Sequence, residues 1–156
     1  SVEVLVPDFQ GDEDAIRTVL EARPEIYNHN TETVPRLYKK CRPGGRYARV
    51  MQIFRFVKAT APDIPTKTGI ILGMGETNEE VLATMRDLRE VDVDILTLGQ
   101  YLRPSDAHIA LDRYVTPDEF GMFREAGRDM GFKHVESGPL VRSSYHAWEQ
   151  VRAAGV

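Results

Sequence analysis

The stretch TGIILGMGETNEE, residues 68–80, lays out one strand, one turn and the start of one helix. Its first five residues are mostly apolar or β-branched, which predicts a buried strand. Gly73 and Gly75 then indicate a tight turn, because glycine adopts backbone conformations that other residues avoid. Thr77 and the glutamate three residues after it have the spacing of a capping box, which opens a helix. Strand, turn and helix in this order form the repeating unit of parallel α/β folds.

The same unit recurs on both sides of that stretch, with a second capping box at residues 116–119. Strands are predicted at residues 2–6, 26–28, 68–72, 94–98 and 132–136, and helices near residues 12–22, 35–40, 47–59, 77–88 and 116–126. Helices that connect successive strands require a parallel sheet. About five strands do not close an eight-stranded barrel. The expected fold class is therefore α/β with parallel βα repeats, either as an open sheet or as a barrel whose other strands precede Ser1.

Composition excludes several classes of partner. The 156 residues carry 20 basic and 24 acidic side chains, a net charge of −4, so the chain has no general attraction to nucleic acid or to anionic membranes. No apolar run approaches the roughly 20 residues of a membrane span. Cys41 is the one cysteine, which alone makes no internal disulfide and holds no zinc or iron–sulfur site. A reducing, cytosol-like compartment is expected.

Polar segments follow the predicted strands, at the edge of the sheet where parallel α/β proteins bind ligands. The densest is residues 28–32, in which Asn28, Asn30 and Glu32 alternate and would face the same way if the chain is extended. Amides and a carboxylate at this spacing suit a ribose diol or an amine. An ordinary loop whose side chains satisfy the backbone is the other interpretation.

Two further segments carry groups of interest. The glycine-rich turn at residues 73–76 is not followed by the Gly-Lys-Ser/Thr of a phosphate loop, and it lacks the third glycine of a dinucleotide fingerprint. Residues 142–146, RSSYH, concentrate a cation, two hydroxyls, a phenol and an imidazole near the end of the chain. A merely polar tail remains an alternative to a functional one, and composition alone does not decide between them.

Longer strings show a resemblance to a known family. Gly69-x-Ile71-x-Gly73-x-x-Glu76 is similar to the adenine-contacting motif of radical S-adenosylmethionine enzymes. Residues 28–33 resemble the ribose-contacting segment shared by biotin synthase and lipoyl synthase. The strings NHNTETVPRLYKKCRPG, PTKTGIILGMGET, LTLGQYLRPS and SGPLVRSSYHA resemble the C-terminal half of the lipoyl synthase family, and together they span nearly the whole chain.

That resemblance implies a fold and a chemistry. The fold is the C-terminal portion of a partial (β/α)6 TIM-type barrel. The family uses two 4Fe–4S clusters, each held by three cysteines of the N-terminal half, and a reducing electron donor. One cluster cleaves S-adenosylmethionine to a 5′-deoxyadenosyl radical, which takes hydrogens from C6 and C8 of an octanoyl chain on a lysine. The other cluster supplies the sulfur. The acylated lysine belongs to a carrier domain, in E2 subunits or in the glycine cleavage H protein.

The resemblance also implies roles for residues of this chain, treated as one domain segment, 1–156, with a tail at residues 137–156. Ser144 corresponds to the serine that ligates an iron of the sulfur-donating cluster. A hydroxyl oxygen is poorly matched to iron compared with a thiolate, which suits a ligand that must leave. No catalytic residue is assigned. The residues expected to bind S-adenosylmethionine are Asn28, Asn30, Glu32, Arg36, Ile71, Gly73 and Glu76, with Arg36 as a clamp for the methionine carboxylate.

The sequence departs from the family in one respect, because none of the six cluster cysteines is present. The isolated chain is therefore expected to bind no iron–sulfur cluster and to be inactive. Two alternatives remain: a radical S-adenosylmethionine sulfur inserter of the biotin synthase type, and a cysteine-free module or subunit that binds the lipoyl carrier domain. The expected location is the cytoplasm, or mitochondria or plastids in a eukaryote.

Overall fold

The computed structural model describes residues 2–142 and, beyond them, Arg152 and Gly155. Two short 3-10 turns, Phe9–Gly11 and Pro35–Leu37, accompany the regular elements. The strands are β1 (Glu3–Leu5), β2 (Ile26–Asn28), β3 (Thr66–Leu72), β4 (Ile95–Gln100) and β5 (His134–Ser137). The helices are α1 (Glu13–Glu21), α2 (Tyr38–Cys41), α3 (Tyr47–Thr60), α4 (Asn78–Glu90) and α5 (Pro117–Asp129).

The five strands form one sheet in the order of the chain, β1-β2-β3-β4-β5, and each is parallel to its neighbour. Crossovers between parallel strands are almost always right-handed, so a sheet in sequential order carries its helices on one face. This is the architecture of a partial parallel βα barrel, and it confirms the fold class expected from the sequence.

Alternate residues of the central strands divide the sheet into two faces. Ile70 and Leu72 of β3 join Leu96 and Leu98 of β4 in the main core, against apolar side chains of α3, α4 and α5. Their neighbours in sequence, such as Gly69, point to the opposite face. That opposite face bears no helix among the residues described, and Lys67 and Thr97 are among the polar residues on it.

Both predicted capping boxes are confirmed. The Thr77 hydroxyl accepts from the backbone N–H of Glu80, whose carboxylate accepts from the Thr77 N–H, so the first turn of α4 is closed. Thr116 and Glu119 make the same pair of bonds at the start of α5. These bonds satisfy N–H groups that the helix itself leaves free.

Within the described residues, no helix is long and apolar enough to cross a membrane.

The structure extends β3 and β4 beyond the predicted ends. β3 begins at Thr66, two residues early, and includes Lys67, whose side chain is fully buried. A buried lysine requires a partner, and the Glu3 carboxylate accepts from its Nζ at 2.9 Å. β4 runs on through Gln100. The longer β4 carries Gln100 to the edge of the sheet where the cavity lies.

Candidate functional site

A cavity of about 280 Å³ lies at the carboxyl ends of β3 and β4, where parallel α/β proteins bind ligands. One part of its wall is polar, and another part is apolar. The residues that line it are Asn30, Glu32, Gly69, Ile70, Ile71, Thr97, Gly99, Gln100, Tyr101, Leu102, Pro104, Val141 and Arg142. Three residues predicted to bind the cofactor, Asn30, Glu32 and Ile71, are among them.

The backbone after β2 explains how Glu32 reaches the cavity. The pairing of β2 with β3 is interrupted after His29 and resumes at Glu32, whose N–H donates to the Gly69 carbonyl at 2.9 Å. The Glu32 carbonyl in turn accepts from the Ile71 N–H at 2.8 Å. To resume the pairing with β3, Glu32 adopts a φ of 70°, in the left-handed region that non-glycine residues rarely occupy. The distortion holds its side chain at the rim of the cavity.

Gly69 is the residue against which Asn30 packs. A Cβ at position 69 would lie 2.9 Å from Asn30 Oδ1 and 2.9 Å from Thr97 Oγ1, so only glycine leaves both polar groups where they are. Asn30 Oδ1 is buried and has no hydrogen-bond partner among the described residues. Buried polar atoms are nearly always paired, so this oxygen is an acceptor available to a ligand in the cavity.

The electrostatics of the site centre on Glu32. Burial raises the pKa of its carboxyl, and this effect is partly offset by the nearby Arg42 guanidinium and by a hydrogen bond from Asn30. The Arg42 Nη1 lies 3.8 Å from Glu32 Oε1 and donates to the Asn30 carbonyl at 3.0 Å. Arg42 therefore contacts both Asn30 and Glu32. The sequence did not indicate a role for Arg42, since nothing local points to partners ten and twelve residues away.

Two predicted cofactor residues, Asn28 and Arg36, bond to protein groups outside the cavity. Asn28 Nδ2 donates to Glu3 at 2.7 Å, on the open face of the sheet. Arg36 donates to both carboxylate oxygens of Glu80, at 2.6 and 2.9 Å, and to the Gly75 carbonyl at 2.7 Å. The structure does not bring these two side chains to Asn30 and Glu32, so their cofactor roles remain predictions.

Gly73 and Glu76, also predicted to bind cofactor, shape the turn after β3. Glu76 is buried, and its carboxylate accepts from the backbone N–H groups of Gly73 and Met74. Gly73 has a φ of 105°, and a Cβ there would meet Gln100 Nε2 at 2.4 Å and the Arg113 carbonyl at 2.5 Å. Both residues thus hold the turn against the neighbouring loop, at the edge of the site rather than in its wall.

Gln100 organises the loop that forms the apolar part of the wall. Its Nε2 donates to the carbonyls of Tyr101 and Arg113, at 3.0 and 3.2 Å, and its Oε1 accepts from the Val115 N–H at 2.8 Å. These bonds tie both ends of the loop to β4. The loop carries Leu102 to the cavity, together with Pro104. The sequence placed Gln100 after a strand without indicating this role.

No group of three or more metal-ligating side chains occurs within the described part of the chain. Cys41 is a free, partly buried cysteine, and burial raises the pKa of its thiol. Ser144, predicted as a cluster ligand, lies outside the described residues. Arg142, the last described residue before Ser144, lines the cavity and donates to the Val141 carbonyl at 2.8 Å.

Comparison with known proteins gives a consistent result. A scan against protein-family models finds no match. Curated relatives named lipoyl synthase match the chain over nearly all of its length. The relative from Rubrobacter xylanophilus is 57% identical over 154 residues, covering 99% of this chain and 48% of the relative. That from Caldanaerobacter subterraneus is 58% identical over 147 residues, covering 94% and 52%. That from Ralstonia pickettii is 53% identical over 156 residues, covering 99% and 47%.

The chain thus spans about half the length of the curated relatives it matches, and the matched part is their C-terminal half. Identity above one half along almost every residue, together with the parallel βα architecture, leaves no room for an unrelated fold. This chain therefore belongs to the lipoyl synthase family.

Proposed function

We propose that a protein containing this chain is a lipoyl synthase, which inserts two sulfur atoms at C6 and C8 of an octanoyl-lysine on a carrier domain. The chain supplies the wall of the site that binds S-adenosylmethionine. The observation that carries the proposal is the cavity in which Asn30 and Glu32 face Ile71 across Gly69, because these are the residues of the two motifs that resemble the family.

The residues of the cavity fit S-adenosylmethionine by their chemistry. The unpaired Asn30 Oδ1 is a buried acceptor suited to a ribose hydroxyl or an ammonium group. The Glu32 carboxylate provides a second acceptor beside it. Ile71 contributes an apolar side chain. Because Gly69 has no side chain, its backbone is exposed to the cavity, and a flat adenine could pack closely against it. The cavity, at about 280 Å³, is smaller than the 300–1,000 Å³ of most ligand pockets, which fits one wall of a larger site.

Each residue has a stated task under this proposal. Asn30 and Glu32 orient the cofactor, and Arg42 holds both of them in place while it partly offsets the rise in the pKa of Glu32 that burial causes. Ile71, Leu102 and Val141 exclude water from the reacting centre. When bound, S-adenosylmethionine supplies a 5′-deoxyadenosyl radical for removing hydrogen from an unactivated carbon.

The iron–sulfur clusters do not fit the residues of this chain. A 4Fe–4S cluster is held by several cysteine thiolates, and the chain has one cysteine. We therefore derive no step through a cluster, and propose that the cysteines belong to the N-terminal half that the relatives possess. The octanoylated E2 and H-protein carriers, the electron donor and a cytoplasmic or organellar location are parts of the same proposal.

The test uses a protein of the relatives' full length that carries these 156 residues. With S-adenosylmethionine, a reductant and an octanoyl-lysyl peptide, we expect a mass change of two sulfurs for two hydrogens. Asn30→Ala should weaken S-adenosylmethionine binding about 5- to 150-fold, the equivalent of about 1–3 kcal/mol for one unpaired group. Gln52→Ala, which truncates an exposed amide on α3, is the matched control and should bind normally.

A cysteine-free module that binds the carrier domain is the second candidate, and the single cysteine is the observation that favours it. It predicts that the chain binds an octanoylated carrier but that no preparation containing it forms lipoyl product. Product formed by the full-length protein, and lost with Glu32→Ala, would exclude this candidate. Anaerobic incubation of the 156-residue chain with iron and sulfide should yield no iron–sulfur chromophore.

A further inference from the structure

The charge of this chain is strongly segregated. Residues 33–62 contain eight of its 20 Lys and Arg residues and none of its 24 Asp and Glu residues. The other 126 residues hold 12 basic and 24 acidic side chains, so a segment of charge +8 sits on a body of charge −12. Such segregation creates a positive surface on an acidic protein, and a surface of this kind attracts anionic partners.

Part of the segment forms one side of an open groove of about 530 Å³. The groove is polar, and Arg42, Arg46 and Arg49 line it opposite the loop that follows β1, which includes Asp8. Lys39 and Lys40, both exposed, lie three and two residues before Arg42 in the chain.

The charges of the groove are only partly neutralised. Arg49 donates to Asp8 at 2.8 Å, and this bond keeps the pKa of Asp8 below its ordinary value even though burial acts to raise it. Arg42 is shared with Glu32. Arg46 is exposed and forms no ion pair with any residue that the structure describes, and the same holds for both lysines.

The groove and the cofactor cavity share a wall. Arg42 lines the groove, while its guanidinium holds Asn30 and Glu32, which line the cavity. A macromolecule seated in the groove would therefore stand beside the cavity. Three unpaired cations spread over eight residues fit carboxylates dispersed on a protein surface better than one compact phosphate group.

We propose that this basic groove, with Arg46 in its wall and Lys39 and Lys40 near it in the chain, is the docking surface for the carrier domain and pairs with carboxylates that the carrier presents. The inference rests on the proposed function for the identity of the partner. Docking here places the body of the carrier on the groove while its acylated lysine enters the adjoining cavity. Salt screens exposed charges, so the attraction weakens as ionic strength rises.

The experiment compares two substrates in the full-length protein: an octanoylated carrier domain and a short, uncharged octanoyl-lysyl peptide. Arg46→Glu, and separately the double change Lys39→Glu with Lys40→Glu, should raise KM for the carrier about tenfold at low salt. KM for the peptide and cleavage of S-adenosylmethionine with the peptide should not change. Arg46 precedes α3 and its side chain makes no capping bond, so the helix is retained.

Arg86→Glu is the matched control, because Arg86 is an exposed arginine on α4 and the change alters net charge equally. It should leave both KM values at the wild-type level. Equal changes in KM for carrier and peptide, or no change for either, would overturn the docking assignment. Two measurements check that a raised KM does not come from misfolding: the milder variant Arg46→Gln, and thermal unfolding curves of the variants.

A direct binding measurement keeps the two proposals separable. If wild type forms no product from either substrate, the proposed function fails. Fluorescence anisotropy with a labelled carrier domain then still decides the docking: weaker binding by Arg46→Glu, but not by Arg86→Glu, supports it. The docking assignment is refuted if neither substitution changes the affinity for the carrier, or if the carrier does not bind at low salt.

Discussion

Replacing Gly69 by alanine tests the geometry of the cavity at its narrowest point. The new methyl group would lie 2.9 Å from both Asn30 Oδ1 and Thr97 Oγ1. Overpacking of this kind costs about 1–3 kcal/mol, and we expect the low end, because both neighbours are the ends of side chains and can turn aside. Alanine also lowers the conformational entropy of the unfolded chain relative to glycine, which stabilises the folded state by about 0.4–1 kcal/mol. The free energy of unfolding should therefore fall by about 1 kcal/mol or less.

Binding should suffer more than stability. If Asn30 turns away from the methyl group, its unpaired oxygen no longer meets the cofactor, at a cost of about 1–3 kcal/mol. Such a loss corresponds to about 5- to 150-fold weaker binding. Equilibrium dialysis of labelled S-adenosylmethionine with the full-length protein measures the affinity, and urea denaturation of the same sample measures the stability.

Gly121→Ala provides the control in the same chain. Apart from its chain neighbours and the backbone of its own helix, nothing lies within 4 Å of a Cβ built at Gly121, which is inside α5. Alanine favours a helix over glycine by up to about 1 kcal/mol, so this variant should gain stability and bind the cofactor normally. Unchanged cofactor affinity in Gly69→Ala would refute the role given to Asn30.

Three further predictions concern charge and ligation. Burial by itself raises the pKa of Asp94, but hydrogen bonds from Lys58 and from a backbone amide bring it below its ordinary value; the stability it contributes is present above about pH 4 and is lost as pH falls through the lowered pKa. Asp94→Asn should therefore flatten the acid limb of urea unfolding measured at several pH values. Arg36→Ala should leave affinity for S-adenosylmethionine unchanged, because its guanidinium is engaged by Glu80; a large loss would restore the proposed methionine clamp. Ser144→Ala in the full-length protein should still form 5′-deoxyadenosine but no lipoyl product, and wild-type levels of that product would contradict cluster ligation.

Much of the fold could be predicted because the signals are local. The alternation of strand and helix follows from apolar spacing, and Thr77 and Thr116 close their helices with a glutamate only three residues away. The start of β3 was missed for the opposite reason. Lys67 is buried within the strand, where its Nζ donates to the Glu3 carboxylate, 64 residues distant. A sequence does not show such a pairing.

The site was predicted less evenly. Alternation along residues 28–32 grouped Asn28 with Asn30 and Glu32. The structure brings Asn30 and Glu32 to the cavity, whereas Asn28 donates to Glu3 instead. Motif spacing alone did not separate residues that face the cavity from those that build the turn, as with Glu76, whose carboxylate serves two backbone amides. Arg42 was missed because its partners are set by the loop between α2 and α3, which brings the guanidinium to the Asn30 carbonyl just after β2.

The left-handed backbone of Glu32 sets folding against function at a single residue. A non-glycine residue in this region costs about 1–3 kcal/mol, and glycine would remove most of that cost while also removing the carboxylate. A screen of variants for heat resistance alone would favour glycine or asparagine at position 32, whereas a screen for turnover would retain glutamate. Thermostabilised libraries of this protein should therefore be constrained at that position, since it is where selection for robustness would first erase the site.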